Sequence, residues 1–504
     1  MAMAVVVRRS STRKNSLVEV AELLPMESLT RLFQLLEPSN PVHFPFEKGT
    51  KLVVPRSKPG TWLVSVSVRG HSSASETYAM AARGGSHGTK RYFDNEMDDE
   101  VDVLDEELRR ALVDAEELTV FLSKTDTNLA GNGVYIGLAG VALMYFHLVQ
   151  AMGANPEAFL SLGNGIEASD RERCLEQARE IVGRCSTDTR RNRTRITFLE
   201  GGPGISVIKA IVKHACEDDG YKKNLHQLVD TWNNDVVLCS PEECELMYGR
   251  AGWLYACLYA RKYLEIRDVE FLNGSILEAL RTILDTGRKN GDSTWPLMYD
   301  WHGRHYLGAA HGLCGILMVL LHLRPELETI DTGGGWRGDI QGSISALLNV
   351  VLPSGNLPSS LENRTDNLVH WCHGAPGLVM LLCKAYAEFG TAEYLEAAKT
   401  SADVIWERGL LKKGLGLCHG ISGNGYAFLA LYRTTGESKW LVRARHFAAF
   451  MAKHLRTGRH NVFESALLLQ PDRPASLYEG LAGATCFLAD VLTPSTSYFP
   501  GYEL

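Results

Sequence analysis

The sequence has no long uninterrupted apolar run, no Cys-x-x-Cys pair, no cysteine before Cys174 and no aspartate in its first ninety residues. Each gap excludes something. A membrane-spanning helix needs about 20 mostly apolar residues. The apolar run after Gly377 meets Lys384 within seven residues, and the run after Gly315 meets His322 and Arg324. Only residues 134–152 are long enough, and they contain His147 and Gln150. A polytopic membrane protein is therefore excluded. Eleven cysteines, an odd number without dense spacing, make no disulfide framework and point to a reducing compartment. There the sequons at Asn192, Asn273 and Asn363 carry no weight. Residues 1–90 carry 12 Lys/Arg against 6 Glu, a net +6, so the rest of the chain sums to −13. An acidic body is a poor partner for a polyphosphate, which argues against nucleic acid. The 45% apolar and 22% charged content excludes a disordered or collagen-like chain.

The first ninety residues read as an extension. Residues 1–16 are basic, contain serine and lack acid, the composition of an organelle transit peptide, but Glu19, Glu22 and Glu27 follow at once. Residues 53–68 alternate weakly, as a short strand would, and residues 70–90 are a Gly/Ser/Ala-rich linker. Two readings of 1–90 stay open, a poorly packed tail and a targeting segment.

What the chain has in excess is glycine, 47 of 504 residues, and its placement is periodic. A G-x-x-G pattern recurs seven times, at Gly137–Gly140, Gly201–Gly204, Gly249–Gly252, Gly312–Gly315, Gly374–Gly377, Gly420–Gly423 and Gly480–Gly483. The intervals are 64, 48, 63, 62, 46 and 60 residues, which marks an internal repeat and overrides a three-domain guess from length. Each copy opens an apolar helical pattern, as in Leu378, Val379, Leu381 and Leu382 after Gly377. Such helices are apolar almost all round and should be buried. Amphipathic helices lie between them, as over 391–408, where Tyr394, Leu395, Ala398, Ala402 and Ile405 share a face. Seven helical hairpins of this kind close into an all-α ring, an α/α toroid of seven inner and seven outer helices. The glycine turns then face one end, and side chains beside them point at one cavity.

Two of the turns carry Cys-His: Trp371-Cys372-His373-Gly374 and Leu417-Cys418-His419-Gly420. A third, Ala310-His311-Gly312, has His alone. Cys and His at equivalent turns of adjacent repeats are zinc-ligand material. Cys372, Cys418 and one of the histidines would give a neutral three-ligand centre with one position open, the form of a catalytic site. A thiol bound there would be ionised, whereas a free thiol is only about 3% thiolate at pH 7.

The motifs Trp371–Gly377 (WCHGAPG) and Gly416–Tyr426 (GLCHGISGNGY), with the repeated glycine pairs, resemble the LanC-like (lanthionine synthetase C-like) family, in particular its eukaryotic branch. The resemblance covers Arg91 to the C-terminus, which makes 91–504 the family domain and 1–90 an addition to it. It implies the α/α toroid. It further implies that Cys372, Cys418 and His419 bind zinc, that His373 does not, and that His311 acts in proton transfer. Arg91, in Arg91-Tyr92-Phe93-Asp94-Asn95, and Lys413 match the family's cations for glutathione. The activity implied is zinc-dependent addition of glutathione to dehydroalanine or dehydrobutyrine in proteins, including kinases damaged by phosphate elimination. Bacterial members instead close thioether rings in peptides. They carry an Asp where Glu245 is nearest here, and a Tyr where this chain has His373. Both departures point away from peptide cyclisation. Two rival readings stay open: a non-catalytic zinc- and glutathione-binding adaptor or hormone-receptor-like protein, and a prenyltransferase-like zinc–thiol enzyme, whose Asp-Cys-His set differs from the one here. The expected location is the cytoplasm. Peripheral attachment to the plasma membrane and organelle targeting by residues 1–30 stay open beside it.

Overall fold

The computed structural model describes residues 7–9, 18–20, 43–45, 51–53, 65–67, 90–98, 102–125, 131–159, 168–186, 195–456 and 473–504. The chain divides into two units, Met1–Lys90 and Arg91–Leu504. In the first, strands β1 (Val7–Arg9) and β2 (Val18–Val20) pair antiparallel. Strands β3 (His43–Pro45), β4 (Lys51–Val53) and β5 (Ser65–Ser67) form a second antiparallel sheet in that order. The alternation at 53–68 spans the end of β4 and all of β5, with 54–64 and 68 outside the described residues. The expected linker at 70–90 falls outside them but for Lys90, and the expected targeting stretch at 1–16 but for β1.

The second unit is helical because its glycine pairs start helices. Seven helices begin just after the first glycine of a pair: α2 (Leu138–Ala154), α4 (Gly202–Ala215), α6 (Arg250–Tyr263), α8 (Leu313–His322), α10 (Ala375–Phe389), α12 (Ile421–Thr435) and α14 (Leu481–Leu492). The second glycine is required by space. A Cβ at Gly423 would fall on the Leu417 carbonyl oxygen, and one at Gly483 on that of Leu477. Gly374 has φ +129°, a conformation open to glycine alone. These helices are buried nearly all round, as in α8, where every residue from Leu313 to Leu321 is buried.

The amphipathic helices are α1 (Asp105–Thr125), α3 (Ala168–Arg184), α5 (Tyr221–Thr231), α7 (Asn273–Asn290), α9 (Gly335–Val350), α11 (Ala392–Arg408) and α13 (Ser438–Arg456). On α11, Tyr394, Ala398, Ala402 and Ile405 are buried as expected, while Leu395 at the stripe's edge is half-buried. Burying a side chain the size of Ile405 contributes about 1.5–3 kcal/mol, and an alanine methyl about 0.8 kcal/mol.

The glycine-initiated helices pack in succession, α2 on α4, then α6, α8, α10, α12 and α14, and α14 packs back on α2. The set is therefore a closed ring. Hairpin partners α3, α5, α7, α11 and α13 pack on α2, α4, α6, α10 and α12, and α14 takes as its partner α1, the helix at the opposite end of the unit. Residues 497–503 fill the bore. Tyr498 lies against His147 of α2, the Tyr255 hydroxyl of α6 donates to the Glu503 carbonyl, and Tyr502 donates to Cys314 of α8 and Gly377 of α10. Among the described residues no helix is long and apolar enough to cross a membrane. All eleven cysteines are free.

Candidate metal site at the mouth of the ring

The residues two before six of the seven first glycines form a backbone girdle. Ala310 N–H donates to the Cys372 carbonyl (3.5 Å), Cys372 to Cys418 (3.3 Å), Cys418 to Tyr478 (2.8 Å), Tyr478 to Tyr135 (3.0 Å) and Tyr135 to Leu199 (3.0 Å). Repeat-equivalent residues are thereby neighbours in space, which brings together two cysteines 46 positions apart.

The sulfurs of Cys372 and Cys418 and a ring nitrogen of His419 lie within 4.8 Å of one another. Both cysteines are buried and His419 is half-buried. Two thiolates and an imidazole are a donor set suited to zinc. Burial, and after it the Cys372 sulfur alongside, push the Cys418 thiol well above its ordinary range, while His419 opposes the shift. Two buried sulfurs cannot both ionise without a cation between them, and a bound divalent ion is such a cation. The three residues fit a zinc ion.

The triad opens on a cavity of about 290 Å³ that is also lined by Arg91, Tyr135, His311, His370, His373 and Lys413. The six residues given site roles from the sequence, Cys372, Cys418, His419, His311, Arg91 and Lys413, all line this cavity, whereas Glu245 lies behind it. Arg91 reaches it by a long-range contact: Lys412 N–H donates to the Arg91 carbonyl (3.0 Å), Phe93 N–H to the Leu410 carbonyl (2.8 Å), and Asn95 Nδ2 to the Trp406 carbonyl (2.7 Å). Arg91 and Lys413 are both exposed, and neither is paired with a carboxylate among the described residues.

His311 has a neighbour on each of two sides. Its Nδ1 is 3.3 Å from the Glu245 carboxylate, within ion-pair reach but not aligned for a hydrogen bond, and Trp301 stacks on its ring with centroids 3.9 Å apart and planes at 7°. Glu245 is buried and also accepts from the N–H groups of Met247 (2.6 Å) and Tyr248 (2.5 Å). Burial raises its carboxyl above the usual range, and the His311 contact pulls it back. Among the described residues His373 has no partner at Nδ1, and burial followed by the nearby His311 lowers it to about 4, so it is neutral at pH 7. His370 is likewise lowered to about 3, by burial and then by His419, whose ring is 6.0 Å away.

Sequence reasoning missed Tyr135, His370, Trp301 and the contact of Glu245 with His311. A signal existed for Tyr135, which occupies in the first repeat the place of Cys372 and Cys418 in theirs. Its phenol is pushed well up by burial and then by those two sulfurs. Trp301 lies in the irregular stretch between α7 and α8, where no periodicity marks it.

The family description "Lanthionine synthetase C-like protein" matches residues 128–504, most of the chain. The chain belongs to this family. Among similar LanC-like proteins is one from Danio rerio named glutathione S-transferase LANCL1, 36% identical over 73% of this chain and 84% of its own length. Another is LanC-like protein GCL1 from Arabidopsis thaliana, 34% identical over 64% of this chain and 74% of its own. Among solved structures, nisin cyclase matches 76% of this chain and 94% of its own at 14% identity and a TM-score of 0.49. The chain is thus of the LanC type, and its Cys372–Cys418–His419 group could hold a metal ion.

Proposed function

We propose that this LanC-like protein is a zinc-dependent C–S bond-forming enzyme that adds the thiol of glutathione to dehydroalanine or dehydrobutyrine residues in proteins. One observation carries the reading: the metal-binding group shares its cavity with His311, Arg91 and Lys413. The relative named a glutathione S-transferase supports glutathione as the donor. The scaffold is the toroid of seven inner and seven outer helices, with α1, α3, α5, α7, α9, α11 and α13 outside.

When bound, zinc would supply a position at which a thiol is ionised at neutral pH. Cys372, Cys418 and His419 would hold that ion. Arg91 and Lys413 bind the two carboxylates of the tripeptide and aim its thiol into the cavity. As the sulfur bonds to the acceptor's β-carbon, the Cα=Cβ electron pair moves toward the adjoining carbonyl as an enolate. The proton lost by the thiol on ionising passes to solvent, and His311, as imidazolium, gives its proton to the α-carbon and is reprotonated from solvent. Glu245 holds Nδ1 and balances the positive ring, which leaves Nε2 for the transfer. The acceptors are proteins, kinases among them, that have lost phosphate from Ser or Thr by elimination. The setting is the cytoplasm, peripheral to the plasma membrane where attached at all.

The test is adduct formation between glutathione and a dehydrobutyrine peptide, read by mass spectrometry. Wild type forms the adduct, and Cys418→Ala loses zinc and adduct together. Equal activity in a metal-free Cys418→Ala protein overturns the reading. Zinc and glutathione bound by wild type without turnover would move the assignment to a non-catalytic binding protein.

A further inference from the structure

The two cysteines lie on turns, outside any helix, so their separation is set from behind. Trp371 precedes Cys372 and is fully buried. Phe499 stacks on it with centroids 5.1 Å apart and planes at 19°, and Tyr502 meets it edge-on at 5.4 Å. Behind Cys418 stands Tyr478, whose carbonyl accepts the Cys418 N–H at 2.8 Å. The Tyr478 hydroxyl donates to the Pro500 carbonyl at 2.8 Å, and its ring meets Trp371 edge-on at 5.3 Å. One short segment thus backs both metal-binding turns.

The segment is itself tied down. Tyr498 N–H donates to Asp490 Oδ2 (3.3 Å), Phe499 N–H to Glu503 Oε2 (2.9 Å), and the Tyr502 hydroxyl to the Gly377 carbonyl (3.2 Å). Arg433 pairs with Glu503. Gly501 has φ +86°, and a Cβ there would lie 2.5 Å from the Tyr478 hydroxyl, so the chain turns this tightly only with glycine. None of these contacts reaches the cavity or a reacting atom.

We infer that the segment Ser497–Glu503 is the floor of the metal site and that Phe499 is a positioning residue for Cys372 and Cys418, acting through Trp371 and Tyr478. The inference rests on the zinc reading proposed above. Zinc–sulfur bonds are about 2.3 Å long, so two sulfurs must be held within a fraction of an ångström to share one ion. Two hydrogen-bonded turns do not supply that rigidity. A dry aromatic stack beneath them does, because rings at packing contact move only together.

The test uses the full-length chain and two metals. Zinc affinity is measured by chelator competition, and the sulfur-to-metal charge-transfer bands of the cobalt-substituted protein report site geometry. Phe499→Ala should weaken zinc binding about 10–100-fold, as loss of an outer-shell support does, and shift the cobalt spectrum. Phe499→Leu should restore most of both. Phe159→Ala, an equal truncation at a buried site beside α2, should change neither. Phe499→Ala indistinguishable from Phe159→Ala overturns the inference. If Phe499→Ala does not fold, Tyr478→Phe removes only the bond to Pro500, and an unchanged cobalt spectrum then overturns it. Wild type that takes up neither metal refutes the zinc reading as well, whereas normal uptake with an unaffected Phe499→Ala refutes only the role of the floor.

Discussion

The backbone N–H of Cys372 donates to the carbonyl of Cys418 at 3.3 Å, so two adjacent repeats are locked in register at the residues whose sulfurs share a metal site. This main-chain bond sets the register of the two turns, and the aromatic stack beneath them holds their separation. Substitution of either sulfur should remove the ion and leave the ring. Cys372→Ala and Cys418→Ala are expected to lose stoichiometric zinc with little change in helicity, and His373→Asn to retain it. Elemental analysis of the purified proteins, with circular dichroism, checks this.

The proposed proton donor is His311, with Glu245 beside its Nδ1. His311→Asn should keep zinc and lower turnover by roughly 10²–10⁴-fold, the usual worth of a general acid. Glu245→Gln should keep zinc too and lose less, since the ring remains stacked on Trp301. Steady-state rates on a dehydrobutyrine peptide decide it, and an unchanged rate in His311→Asn removes the residue from the chemistry.

Arg91 and Lys413 are exposed beside the cavity, with no carboxylate paired to either among the described residues. Each charge-assisted contact to a carboxylate is worth about 1.5–3 kcal/mol, so Arg91→Ala and Lys413→Ala should each raise the KM for glutathione about tenfold or more. The effect should shrink with a donor thiol lacking carboxylates. Equal KM shifts for both donors would mean general damage to the site.

The glycine pairs make a stability prediction. Gly423→Ala puts a methyl on the Leu417 carbonyl oxygen, next to Cys418, and should cost about 1–3 kcal/mol. Gly390→Ala, where no atom lies within 4 Å but φ is +69°, should cost less, about 1 kcal/mol from backbone strain alone. Urea midpoints compare the two.

His322, at the end of α8, is far from the triad in sequence and is lowered to about 3, by burial and then by Lys384 and Lys262. It stays neutral when folded and takes a proton when unfolded. Stability is therefore complete above the ordinary histidine range and falls as pH drops from about 6.5 toward the folded value. His322→Gln should flatten that fall, seen as a smaller loss of melting temperature between pH 7 and pH 5. An identical loss in both proteins would contradict the assignment.

Much of this was legible in the sequence because it repeats. The seven glycine pairs mark the start of every buried helix, and the two Cys-His turns share a repeat position. The rest was hidden by contacts that follow no period. Glu245 lies four residues before its glycine and His311 one before its own, so only the packing of α6 on α8 brings them together. Arg91 arrives through pairing of its strand-like segment with residues 410–412, between distant parts of the chain. Phe499 and Tyr502 lie in irregular backbone, where burial in the bore leaves no pattern.

The most direct measurement is X-ray absorption at the zinc edge of the purified protein, with and without glutathione. Two sulfurs, one nitrogen and one light-atom ligand are expected without the tripeptide, and three sulfurs with one nitrogen once it is added. A sulfur count that glutathione does not change would contradict the account.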